Sequence, residues 1–151
     1  MKWIEIRGWI EKTVAVGQIW VNFRAPWSSY YDVIAATIHT EDMDPERNID
    51  VFIRRTLSLD TDTILTHLIE DVLIGAGETL YLHENSHGRM RVPPHYYLTI
   101  SAEAVAVGER LEYFLLIEQP SYVLPTTLGE AEGAGEFTLT ETIYWPRGLV
   151  K

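Results

Sequence analysis

Residues 83–87 read His-Glu-Asn-Ser-His, with His95 following shortly after. Two histidines four apart, with glutamate beside the first, bind zinc when they lie on one helix face. The glutamate then acts on the metal-bound water. That chemistry needs a helix with an apolar buried side, and this stretch supplies none. It follows the strand-like run Glu78–Leu82, meets Gly88 directly after the second histidine, and precedes Pro93-Pro94. The expectation is a polar β-turn between Leu82 and Met90, initiated by Asn85 or Ser86, with Gly88 at positive φ. A cupin-like metal enzyme using His83, His87 and His95 is the alternative, although such sites need two histidines two apart on a strand. Asp42, Asp44 and Glu46 could hold calcium in a loop, but the glycine and distant glutamate of an EF-hand are missing and Asp44-Pro45 marks a turn. No G-x-S-x-G, P-loop or G-x-G-x-x-G occurs, and the absence of cysteine removes thiolate chemistry. The expectation is no catalytic residue, no metal and no cofactor.

Composition narrows the partners. The chain has 151 residues and a net charge of −10, which fits one domain and disfavours nucleic-acid binding, since phosphate contacts are made by Lys and Arg. Charge is uneven: Glu103 to Glu141 is rich in glutamate, with Arg110 its one base, whereas Lys2, Arg7, Lys12 and Arg24 make the first segment mildly basic. One end of a molecule could attract the other end of a neighbour; the plainer reading is a solvated acidic face. No run of 18 apolar residues predicts a membrane span, and the charged N-terminal stretch does not read as a secretory signal. Nine arginines against three lysines, and only five Asn plus Gln, fit a thermophilic source or a GC-rich genome.

The elements that must position any site are strands. Ile4, Ile6 and Ile10 share one face of residues 3–10; residues 13–21 could pair with them as a hairpin. Ile49, Val51 and Ile53 alternate with polar neighbours, as do Leu111, Tyr113, Leu115 and Ile117. Residues 60–77 carry both helical and alternating spacings; β-branched residues tip the reading to strand. Turn signals at 25–29, 42–46, 75–77, 86–88 and 107–109 separate the runs, so the expected fold is an all-β, single β-sandwich of jelly-roll-like form. Residues 1–118 form the sandwich. Residues 119–151 read as a linker and extended C-terminal arm, because 118–137 is rich in Gly, Pro and Glu. The strand-forming tail beyond it could add to another subunit's sheet, or fold back as an edge strand of its own.

The pieces Asn48–Ile53, Ile74–Leu82, Tyr97–Ala102 and Leu111–Glu118 together resemble small β-sandwich virion accessory proteins of tailed bacteriophages, such as head decoration proteins. The likeness covers about half the chain and is one of hydrophobic and turn pattern; the His83–His87 stretch is not part of it. It implies a non-enzymatic virion protein on the capsid surface that cements the shell by bridging major capsid subunits, and that forms a homo-oligomer, a trimer first, without nucleic acid or membrane. Expected contact residues are Trp27, Tyr30, Tyr31, Tyr122, Phe137, Ile143, Tyr144 and Trp145. A tail or fibre module that binds carbohydrate or a receptor, with Trp27 and Tyr96 as stacking platforms, is the alternative.

Overall fold

The computed structural model describes residues 2–55, 64–88, 90–121, 123–131 and 137–144. The elements are β1 (Lys2–Lys12), β2 (Gly17–Arg24), β3 (Tyr31–His39), β4 (Arg47–Arg54), β5 (Ile64–Ile74), β6 (Thr79–His83), α1 (Glu84–His87), β7 (Arg91–Val92), β8 (Tyr97–Val105), β9 (Arg110–Gln119), β10 (Thr126–Ala131) and β11 (Phe137–Tyr144). They form two antiparallel sheets packed face to face. One runs β11-β1-β9-β3-β6, with β7 also on β3; the other runs β10-β2-β8-β4-β5. This is the expected all-β sandwich.

Period-two patterning builds it. The apolar residues of β1, β4 and β9 picked out by alternation all face inward: Ile4, Ile6 and Ile10, then Ile49, Val51 and Ile53, then Leu111, Tyr113, Leu115 and Ile117 are buried. Phe23 of one sheet meets Tyr113 of the other edge-to-face, with ring centroids 5.2 Å apart, a geometry that aligns ring edge with ring face. Residues 64–74 are strand, as β-branching favours, and β5 pairs with β4 through several register shifts. The turn signals at 25–29, 42–46, 75–77 and 107–109 fall between strands, and Gly77 and Gly108 take positive φ there.

Three expectations change. β1 and β2 do not form a hairpin. β1 pairs with β9 and β11, β2 with β8 and β10, because both strands have an apolar inner face and the connection carries the chain from one sheet to the other. Residues 84–87 form one helical turn instead of a β-turn; no residue of it is buried, and Gly88 closes it at φ 72°. Among the described residues after 118, two segments are strands of the sandwich and not an arm. β10 lies on β2 from Thr126↔Arg24 to Ala131↔Ile19, and β11 lies on β1 from Glu5↔Tyr144 to Lys12↔Phe137. Of the two fates open to the tail, folding back is the one observed, since its alternating Thr and apolar residues match the period of the β1 edge.

Candidate functional site

Among the described residues, two surface regions gather side chains around a hollow. The first is the corner where β2 leaves for β3. Backbone bonds from Ala25 N to Tyr96 O (2.9 Å) and from His95 N to Ala25 O (3.3 Å) tie this loop to the entry of β8. His95 holds φ 70°. An Arg24 guanidinium N–H donates to His95 Nδ1 (2.9 Å), which leaves the imidazole proton on Nε2. Burial, and then the Arg24 charge, lower the His95 pKa from its ordinary value, so the ring is held neutral. The Trp27 ring lies edge-on beside that imidazole. Trp27 is nevertheless 80% exposed. Beside it lies a hollow of about 290 Å³ lined by Pro26, Trp27, Val123 and Leu124.

The second region is the outer face of the β1 sheet. Register sets a row across five strands: Thr140, Trp9, Glu112, His39 and Thr79 are successive cross-strand partners. Arg7, Phe114 and Thr37 form the neighbouring row. A groove of about 390 Å³ opens over them. Arginines roof its rings: Arg110 lies 4.2 Å above Trp9 and Arg7 4.8 Å above Phe114. Arg110 Nε also donates to Glu11 (2.8 Å). With their outer faces covered, these rings offer no stacking platform to a sugar. At the groove's end, His39 Nδ1 is 2.7 Å from Thr79 Oγ1 and His39 Nε2 is 2.6 Å from Glu41 Oε1. Glu112 Oε2 stands 3.8 Å from the same Nε2.

The expected contact residues are dispersed. Trp27 is the exposed corner residue. Tyr30 is half-buried with Arg91 stacked 3.7 Å over its ring, and Arg91 forks onto Asp32 at 2.8 and 3.0 Å. Tyr31 was expected at a surface and is instead fully buried; its hydroxyl donates to Phe23 O (2.6 Å), which makes it a core residue. Ile143 is half-buried against the core from β11. The backbones of Phe137 and Tyr144 pair with β1, but their side chains lie outside the described residues, as do Tyr122 and Trp145 entirely.

The metal candidates do not assemble. His83 and Glu84 are exposed, His87 Nδ1 reaches only His83 O (3.2 Å), and His95 is engaged at the Trp27 corner. Asp42 accepts from the Arg110 amide (3.1 Å), while Asp44 and Glu46 sit exposed in the turn. Among the described residues, the His and acidic groups that converge are His39, Glu41 and Glu112, and Asp50, Asp71 and Glu103. Neither set was picked out in the sequence. His39 and Glu41 were legible as neighbours in His-Thr-Glu, but Glu112 joins them only through the β3–β9 pairing.

The fold and these surfaces together define a two-sheet antiparallel β-sandwich with an exposed aromatic corner and a polar groove on one face. No protein-family model, curated protein or solved structure matches this chain.

Proposed function

We propose that this chain is a non-catalytic structural protein that docks on a neighbouring protein subunit through the Trp27 corner. Following the resemblance, its setting is the capsid surface of a tailed bacteriophage, where it bridges major capsid subunits as a homo-oligomer. The observation that carries the reading is Trp27, 80% exposed yet seated on His95. A Trp side chain brings a large rigid ring with few torsions to order on docking, which is why Trp so often anchors interfaces. The adjoining hollow of Pro26, Val123 and Leu124 supplies apolar surface around it. The rings roofed by arginine on the sheet face speak against sugar stacking there, so a carbohydrate reading would also have to pass through Trp27.

Trp27→Ala tests it. The expected result is a loss of cosedimentation with shells assembled from the major capsid protein of the phage that encodes the chain, by ~30-fold or more, the scale of an interface hot spot. Thermal unfolding should be unchanged, because the side chain packs on little else. Loss of binding in a glycan screen, with shell binding absent throughout, would turn the assignment to a carbohydrate module. Unaltered shell binding would refute the docking corner.

A further inference from the structure

We propose that His39, Glu41 and Glu112 form a binding site for a divalent transition-metal cation, zinc first, at the end of the groove on the β1 sheet. The three offer one imidazole nitrogen and two carboxylate oxygens, all within 4.8 Å of one another. A tetrahedral ion with bonds of about 2.0–2.2 Å sets its ligands about 3.3 Å apart. The remaining contraction is within the reach of two glutamate side chains, of which Glu41 is 73% exposed and already turned toward His39.

The sheet fixes the other two ligands. His39 and Glu112 are direct cross-strand partners on β3 and β9, and both point outward because Ile38, Leu111 and Tyr113 take the inward positions. Thr79 completes the arrangement. Its hydroxyl lies 2.7 Å from His39 Nδ1 and can accept a proton from that nitrogen as readily as donate to it. Without an ion, Nε2–H donates to Glu41 Oε1 at 2.6 Å; zinc would take the place of that proton, with Nδ1–H given to Thr79, the kind of second hydrogen bond that orients a metal-binding imidazole. The nitrogen ligand selects zinc, nickel or cobalt over calcium and magnesium, which take oxygen. Three protein ligands leave at least one coordination position for water or for an acidic group of a partner, and Thr37 and Arg7 line the groove beside it.

The all-oxygen set Asp50, Asp71 and Glu103 lacks the nitrogen and serves as the internal control. The proposal does not depend on the Trp27 docking reading, and its test uses the intact chain alone. Titration of ZnCl2 by calorimetry should show one saturable site, accompanied by a rise in Tm, since an ion that binds only the folded state stabilises it. His39→Ala and Glu112→Gln should each weaken zinc binding at least tenfold. Glu41→Gln, on an exposed side chain, should weaken it without lowering the zinc-free Tm, which separates lost ligation from lost folding. Glu103→Gln and His87→Ala should leave the titration unchanged. No saturable uptake, or uptake that survives His39→Ala with Glu112→Gln combined, would overturn the site, as would binding abolished by His87→Ala instead.

Discussion

Tyr31 shows what a single buried polar group does in this core. Its phenol is fully enclosed, and the hydroxyl is satisfied by Phe23 O at 2.6 Å. Enclosure pushes its pKa far above the ordinary tyrosine value, because the phenolate would lose its hydration. The folded state therefore holds the proton more tightly than the unfolded chain. That contribution is fully present below about pH 10, where unfolded tyrosine begins to ionise, and is lost as pH rises past it. Urea unfolding across pH 8 to 11 should show stability falling at the alkaline end, and Tyr31→Phe should flatten that fall. At pH 7 the same substitution should cost about 1–2 kcal/mol, the price of leaving Phe23 O without its donor. Sequence patterning put Tyr31 on a contact surface because it follows Trp27 and Tyr30 in an aromatic cluster; alternation with Val33, across the loop-to-strand boundary, was the better guide.

At the scale of elements, two joints carry the fold. Arg47 and Glu109 make a buried ion pair at 3.0 Å. Glu109 also accepts the Ala106 amide (2.7 Å) and the Asp44 amide (3.2 Å), so one carboxylate clasps the β3–β4 connection to the β8–β9 turn. Glu109→Gln should destabilise by about 3–5 kcal/mol in chemical denaturation, because Arg47 is left buried and uncompensated, and Arg47→Met in that background should restore part of the loss. The second joint is Gly8, where β11 lies on β1. A Cβ there would meet the Thr140 carbonyl oxygen and stand 2.5 Å from the Tyr113 hydroxyl. Gly8→Ala should pry β11 loose, seen as faster amide hydrogen exchange across 137–144 with slower change elsewhere. The strands themselves were legible, since inward isoleucines and leucines keep a period of two and turn residues punctuate them. Which strands pair was not, for β1 with β9 and β3 with β9 are long-range choices that local pattern does not encode. The His39–Glu112 neighbourhood was hidden for the same reason, and the tail's Gly, Pro and Glu content masked two short edge strands.

For the whole molecule, the two strands described after residue 118 belong to the fold. β10 and β11 cap the same side of both sheets, so deleting residues 119–151 should lower Tm sharply or yield insoluble protein, as the unpaired rims of β1 and β2 become templates for association. Retention of the full-length melting profile by the truncated chain would contradict this placement. The Trp27 hollow and the His39 groove are lined by different residues, so the docking and the ion binding proposed for them should respond independently to mutation. The pairing of β1 with β9 and β11 also bears on biogenesis. β1 leaves the ribosome about a hundred residues ahead of β9, and further still ahead of β11, a lead on the order of 5–20 s at ordinary elongation speeds. Throughout that interval an isoleucine-rich ribbon has no native companion, which makes it the natural target for a chaperone acting during synthesis.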